Sequence, residues 1–405
     1  ASQILSRSKI KGHAHTLRTA IVLPNGPEKS KTLLASSVSG AAVPLNPSYT
    51  EYEFSEYFNQ AKVTSIITIP GFSIACERAA RQNNLPIFSF EELSNMDINE
   101  TNENLKAPAP NDIALVLLTS GSTGRPKLVP LTHRNICTSA RDVSVSLSLD
   151  HNDRCLSMWE LFHIGGLVDM LLAPLHSGGS IVATPGFSAA DFFSYTKEFS
   201  PTWFQGVPTA FSELVRYAKL KSIKKVVPQP RFMRSVAAPL QISLSERVVD
   251  LFNAPLITTF GMTEAGPLIT STRMPPNINP AGSLGRPCGP EVMVVDTEWN
   301  PLKIGNEGEI VVRGDNVFLG YENEPETNEN IFYKGWFRTG DIGLFDSENN
   351  LFLTGRLKEQ INRGGEKINP REVDDALMAH PSVELAACYP IPHLTLGEDI
   401  AAAVI

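Results

Sequence analysis

Cysteine is scarce. The 405 residues hold five, Cys76, Cys137, Cys155, Cys288 and Cys388, odd in number, widely spaced and never in a CxxC pair. That pattern excludes a disulfide framework and a structural zinc site and points to reduced thiols. Long hydrophobic runs are missing too: nothing approaches the roughly 18 apolar residues of a membrane span, and no signal-peptide pattern opens the chain. There is no basic excess. With 35 Lys and Arg against 43 Asp and Glu the net charge is −8, which argues against nucleic acid as a partner, so any phosphate ligand must be held by local donors. The remainder is ordinary for a globular chain, 42% hydrophobic and 19% charged, with length for about two or three domains. These features predict a cytoplasmic protein, or one imported folded into an organelle; a peroxisomal address would not be visible in a chain cut short.

The most informative stretch is LLTSGSTGRPKLVPLTH, Leu117 to His133. The apolar run from Ile113 to Leu118 reads as a buried strand, and the small polar residues after it as a loop at its end. Gly121 and Gly124 let successive backbone N–H groups turn inward toward an anion. Thr119, Ser120, Ser122 and Thr123 add hydroxyl donors, while Arg125 and Lys127 add positive charge at the rim. At about 1.5–3 kcal/mol for each hydrogen bond to a charged group, a few such donors hold a polyphosphate. Taken alone, the string also suits a flexible surface loop. A P-loop does not fit: counting from Gly121, Pro126 stands where that motif needs glycine, and Leu128 follows Lys127 where it needs Ser or Thr.

Around this loop, strands and helices alternate. Residues 19–28 (TAIVLPNGPE) and 41–54 (AAVPLNPSYTEYEF) each run from strand into turn, and Thr50 with Glu53 three residues on predicts a helix N-cap. The alternation argues for a parallel sheet covered by helices. Glu91 to Asn111 is polar and acidic and reads as a surface linker, while His133, alone near a helix start, reads as structural. Residues 157–175 carry a helical stripe through Leu167, Met170, Leu171 and Leu175 and predict a core helix after a glycine turn. Residues 177–187 and 201–211 read as strand-turn units, in which Trp203, Phe204 and Val207 either wall a pocket or pack in the core. From Gly282 to Tyr321 short alternating strands predict a small β-barrel or sandwich.

Three further strings carry chemistry. SVAAPL, residues 235–240, offers a small-residue strand end where a flat ring could lie against backbone. TTFGMTEAGPL, Thr258 to Leu268, supplies a ring, a hydroxyl and a carboxylate within five residues: Phe260, Thr263 and Glu264. Glu264 is the candidate magnesium ligand, since that ion is usually held by one or two carboxylates plus phosphate oxygens; the bland alternative is a capped helix with a first-turn Glu. In WFRTGDIG, residues 336–343, Asp341 can accept from both hydroxyls of a ribose, or be a simple turn residue.

With these strings in this order, the chain resembles the adenylate-forming superfamily of acyl-CoA synthetases, luciferases and peptide-synthetase adenylation domains, most of all the coumarate- and oxalate-type CoA ligases. The resemblance implies an α/β fold. Residues 1–356 would form a large domain of two helix-covered sheets plus a small β-barrel, and residues 357–405 a hinge, at Lys358, and the start of an incomplete α+β domain. It implies ATP phosphates at Thr119 to Gly124 and Lys127 with the hydroxyl of Thr263, adenine at Ala237, Ala238, Pro239 and Phe260, where the family usually has Tyr, and further nucleotide contacts at Gly261 and Met262. It further implies ribose at Asp341, ribose or phosphate at Arg356, Mg²⁺ at Glu264, and CoA near Arg363, Gly364 and Gly365. Thr263, Glu264, Lys127 and His163 would carry catalysis, with His163, in the Phe162-His163-Ile164 triplet, at the carboxylate end of the acyl pocket.

Departures from the family pattern bear on the acid. A second His is replaced by Gly165 or Gly166, an amine-gripping Asp by Cys155, and a Ser-His pair by Ala265, Gly266 and Pro267. These losses argue against an α-amino acid or a small dicarboxylate, whose far charge would be left unpaired, and favour a less polar or larger acid. The expected activity is ATP-dependent formation of an acyl-adenylate followed by transfer to CoA. The alternatives are loading of a carrier-protein pantetheine, or a catalytically silent nucleotide-binding module. A lysine that the family carries in its C-terminal domain lies beyond this chain, and losing one such donor is expected to slow adenylation about 10²–10³-fold.

Overall fold

The N-terminal apolar runs become six strands of one sheet, ordered Ile87–Ser89, Ser65–Thr68, Arg18–Val22, Ala41–Pro44, Ile113–Thr119 and Lys127–Thr132. The first five are parallel, as the strand–helix alternation predicts, and the last is antiparallel. This computed structural model describes residues 17–94, 107–119, 126–380, 382–383 and 385–405. Thr50 caps the helix Glu51–Gln60 in a reciprocal capping box with Glu53. The expected linker starts later than Glu91, because residues up to Ser94 complete the helix Phe90–Ser94; residues 95–106 lie outside those described. His133 heads the helix His133–Ser146, its Nε2 3.0 Å from the Ser37 carbonyl oxygen, in keeping with a structural role.

A second sheet has seven strands, in the order Arg286–Pro287, Thr270–Ser271, Leu256–Phe260, Phe232–Ser235, Trp203–Gly206, Arg154–Ser157 and Ser180–Ala183. The five from Leu256–Phe260 onward are parallel, and the first two form an antiparallel edge. Trp203 and Phe204 are buried in its hydrophobic core, which decides between the two roles left open for them. So is Cys155, packed near the buried Arg234–Asp169 ion pair (3.0 Å).

The stretch expected to be one core helix departs from α geometry. Gly165–Leu172 is a wide π-helical turn, and α-helix follows only over Ala173–His176, leaving Leu175 46% exposed. Neither opening glycine has room for a side chain: a Cβ at Gly165 would meet the Trp159 ring at 2.7 Å, and one at Gly166 the Glu160 carbonyl oxygen at 2.6 Å. Wide turns of this kind concentrate at functional sites.

The unit expected as a small barrel is a five-stranded antiparallel sheet. Glu291–Val295, Gly308–Arg313, Trp336–Phe345 and Phe332–Tyr333 pair in a row, and Leu351–Arg356 pairs with Trp336–Phe345 as a branch. A fourth, four-stranded sheet is built wholly from residues after 356, with the helix Pro370–Met378 between its strands in sequence. That helix docks on the preceding sheet: Arg371 donates to the Leu353 carbonyl at 2.9 Å and Asn369 to that of Thr354.

Candidate active site

In open α/β sheets ligands bind at the carboxyl ends of the parallel strands. Phe232–Ser235 and Leu256–Phe260 are adjacent there, Ser235 opposite Thr258, so the SVAAPL and FGMTEAGPL strings emerge side by side. Ala237, Ala238 and Pro239 are exposed, and Ala237 holds φ at +69°, a left-handed conformation costing a non-glycine residue about 1–2 kcal/mol. Such strain persists where the surroundings impose it, and it clusters at functional sites. Phe260 differs from expectation. Its position at the strand end turns the ring into the core, 7% exposed, so the flat open surface is the small-residue trio beside it.

Gly261 admits no other residue, since a Cβ there would sit 1.5 Å from the Pro267 carbonyl oxygen. This close approach holds Thr263–Ala265 in a 3₁₀ turn, with Met262 half-buried just before it. Ala265 is fully buried, and a Cβ on Gly266 (φ +63°) would meet Ser139 Oγ at 2.5 Å. These two positions face packed interior, so the polar anchors whose loss was read from them have no room here.

Glu264 is 6% exposed. Its Oε1 accepts from the Tyr321 hydroxyl at 2.6 Å and its carbonyl from the Phe318 N–H at 2.8 Å. Burial pushes its carboxyl pKa up, opposed by the Tyr321 hydrogen bond and by the charges of Lys127 and Arg356. Lys127 Nζ stands 4.7 Å from the centre of the Tyr321 ring, so ammonium, ring and carboxylate form a row. Lys127 is paired with Thr119 across the hairpin, so the phosphate-loop candidate leaves and returns at this point. Ser120, Gly121, Ser122, Thr123 and Gly124 themselves lie outside the described residues. The Thr263 hydroxyl is half-buried and hydrogen-bonds to no described residue.

Asp341, 2% exposed, is the cross-strand neighbour of Arg356, whose Nε donates to its Oδ1 at 2.8 Å. Burial outweighs that ion pair and pushes the Asp341 carboxyl up to about 6, helped by the negative charges of Glu359 and Glu264. Asp341 and Glu264 therefore feel each other, and Glu264 feels Lys127 and Arg356, which gathers residues from three separate strings around one cleft. His163 is exposed, its ring centre 4.5 Å from that of Phe162; partial desolvation, then the positive charge of Lys29, hold its pKa below the usual imidazole value. Arg363, Gly364 and Gly365 form an exposed hairpin turn in the fourth sheet, Arg363 donating to Asp399 at 2.7 Å. No hydrogen bond or ion pair among the described residues joins this turn to Glu264 or Asp341.

Sequence reasoning missed the segment that holds the cleft together. Asn135 Nδ2 donates to the Asp315 and Val317 carbonyls (2.8 and 2.9 Å), and Asn316 Nδ2 to those of Ala265 and Leu268 (2.8 and 3.1 Å). The Glu322 N–H donates to the Leu128 carbonyl at 3.1 Å, and Arg18 grips the Glu322 carboxylate with both terminal nitrogens. One loop thus clamps the Glu264 turn against the Lys127 strand. A lone Tyr in FLGY carries no local signal of such a role. Lys29 was missed as well, although its spacing with Thr32, Leu33 and Ser36 on the buried stripe of the helix Pro27–Ser39 could have flagged it.

Among the described residues no three His, Cys, Asp or Glu side chains cluster into a metal site, so a cation here would rest on Glu264 and on ligand oxygens. Glu264 fits that role as a buried carboxyl with one hydroxyl partner and no ion pair among the described residues, so that a bound cation would complete its surroundings.

A family model described as AMP-binding enzyme matches residues 7–322. The chain is 35% identical to a probable CoA ligase of Humulus lupulus, across all of this chain and 79% of that relative. It is 34% identical to an oxalate–CoA ligase of Saccharomyces cerevisiae, across 95% of this chain and 77% of the relative. Among solved structures, O-succinylbenzoate coenzyme A synthetase from Bacillus subtilis, in complex with ATP and magnesium ion, matches all of this chain and 81% of its own, with a TM-score of 0.86 at 26% identity.

Proposed function

This chain belongs to the AMP-binding enzyme family, and from that premise we propose that it joins a carboxylic acid to ATP as an acyl-adenylate and passes the acyl group to the thiol of coenzyme A. The observation that carries the reading is the placing of Lys127, at the end of the Thr119–Lys127 hairpin, over the Tyr321 ring whose hydroxyl donates to Glu264, with the Asp341–Arg356 ion pair close enough to act on the same carboxyl. A carboxylate oxygen of the acid attacks the α-phosphorus, the bond to pyrophosphate breaks, and pyrophosphate leaves. The thiolate of CoA then attacks the acyl carbon and AMP departs with the electron pair of the acyl–oxygen bond.

The protein's part is positioning and charge. Lys127 and the hairpin donors would neutralise the phosphates, with the Thr263 hydroxyl turned to the same tail. Asp341 would accept from the ribose hydroxyls through the oxygen that Arg356 leaves free, and the base would lie on Ala237, Ala238 and Pro239 beside Gly261 and Met262. Magnesium, held by Glu264, would supply positive charge to the phosphate oxygens. A neutral His163 would stand at the carboxylate of the acid without adding charge. The Arg363-Gly364-Gly365 turn, on a sheet joined to the main body through residues 357–360, is the proposed approach for CoA.

A cytoplasmic location is part of this reading, supported by five cysteines that form no disulfide; no helix among the described residues is long and apolar enough to cross a membrane. The deciding experiment is pyrophosphate–ATP exchange across a broad acid panel, followed by assay of acyl-CoA formation. Acid-dependent exchange and a CoA thioester are expected. No exchange with any acid would leave only a nucleotide-binding module, and exchange without CoA thioester would point to a carrier-bound acceptor.

A further inference from the structure

Lys29 lies in the first turn of the helix Pro27–Ser39 and is completely buried, yet its Nζ makes no hydrogen bond or ion pair with any described residue. It stands 5.2 Å from the centre of the Phe162 ring, whose other neighbour is His163. The two elements are locked together: Asn25 donates to the Trp159 carbonyl at 2.9 Å and accepts from the Leu161 N–H at 3.0 Å. The charged groups around the ammonium are few. Glu160, half-buried, is the negative charge it feels, though beyond ion-pair distance, and His163 is the other titratable neighbour.

Nothing in the fold asks for a cation here. A positive charge in the first turn of a helix opposes the helix dipole, and a buried ammonium faced only by the Phe162 ring and a distant Glu160 among the described residues is unfavourable where Met or Leu would fill the same space. Burial lowers the Lys29 pKa to about 8, so the amine still carries its proton at neutral pH while lacking a counter-ion. Buried charges are otherwise paired. Among the described residues no counter-ion is supplied, and on the ligase reading the Phe162-His163 end of the cleft is where the acid would enter.

Building on the ligase reading, we propose that Lys29 is a specificity-determining residue that receives a second anionic group of the acid, making the preferred substrate a short dianionic acid such as a dicarboxylate or a sulfocarboxylate. Lys29 stands 5.2 Å from the centre of the Phe162 ring and the His163 ring centre 4.5 Å from it, so an acid bridging the two would be short. The Trp159 ring, filling the space a side chain at Gly165 would take, closes off the position of a second histidine, and Lys29 supplies the positive charge from the facing helix instead. A short dianionic acid runs against the expectation of a less polar or larger acid drawn from Gly165, Gly166, Ala265, Gly266 and Pro267.

The test is calorimetric binding of paired probe acids, succinate against butyrate and malonate against propionate, to this chain saturated with magnesium and a non-hydrolysable ATP analogue. The expected result is at least about tenfold tighter binding of each dicarboxylate than of its monocarboxylate partner, with that ratio falling about tenfold or more in Lys29→Met while the monocarboxylate affinities stay within about twofold. Lys29→Arg should retain most of the preference, and should keep it above pH 8, where the wild-type preference fades as the amine loses its proton. A purely structural lysine would not move the ratio or its pH dependence. A folded Lys29→Met with an unchanged ratio, or wild type preferring the monocarboxylates, overturns the assignment while leaving the ligase reading in place. Failure of the ATP analogue itself to bind would defeat both. Should Lys29→Met not fold, the Lys29→Arg pH profile decides by itself: a preference held above pH 8 supports the assignment, and one that fades as in wild type overturns it.

Discussion

Replacing Asp341 by Asn separates what is good for the fold from what is good for the site. Burial raises the Asp341 carboxyl from its ordinary value of 3.8 to about 6. A raised acid binds its proton more tightly in the folded state, so its favourable contribution is complete below pH 3.8 and is lost as the pH rises through 6. By linkage, the raised pKa costs the fold about 3 kcal/mol at pH 7 and roughly 2 kcal/mol at pH 5, relative to low pH. The uncharged amide of Asp341→Asn avoids that cost. It forfeits the ion pair to Arg356, but that arginine is 60% exposed and the pair is worth no more than about 1 kcal/mol. Asp341→Asn should therefore be more stable than wild type at pH 7, and its advantage should widen by about 1 kcal/mol between pH 5 and pH 7 in urea unfolding. The same variant should bind ATP at least about tenfold more weakly by calorimetry, since an amide cannot accept two ribose hydroxyls on one charged group. An advantage that is flat with pH would refute the assignment of the raised pKa to this residue, and undiminished ATP affinity would remove Asp341 from the ribose.

Three other substitutions probe the cleft. Glu264→Gln should cut Mg²⁺-dependent, acid-driven pyrophosphate exchange about 10²-fold or more with an unchanged far-UV spectrum; activity at the wild-type level would take the metal role away from Glu264. Tyr321→Phe removes a hydrogen bond of about 1–3 kcal/mol to the ionised Glu264, so that carboxyl rises further and the acid limb of the pH–rate profile should move to higher pH, whereas an unmoved limb would show that the 2.6 Å contact does not act on the reaction. Gly261→Ala forces a Cβ to 1.5 Å from the Pro267 carbonyl oxygen and should destabilise the chain by more than about 3 kcal/mol in denaturant titration; a wild-type midpoint would mean that the turn rearranges freely.

Much of this protein is written locally. The capping box of Thr50 and Glu53, the parallel strands of Arg18–Val22 and Ala41–Pro44, the hairpin position of the Ser/Gly loop, and the Phe260–Glu264 and Asp341 strings all follow from spacing and residue chemistry within about ten residues. Each is a property of one turn or one strand, so the sequence carries it without help from the rest of the chain. What depends on contacts across hundreds of residues could be decided only by folding. Whether Phe260 presents a face or is swallowed by the core, and whether Gly266 lines a pocket or meets Ser139, depends on which surfaces the three sheets press together. So does the meeting of Tyr321 with Glu264 and of Lys29 with Phe162: a side chain's partners are set by proximity in space, and a buried charge reveals itself as unusual only when every neighbour it lacks is known.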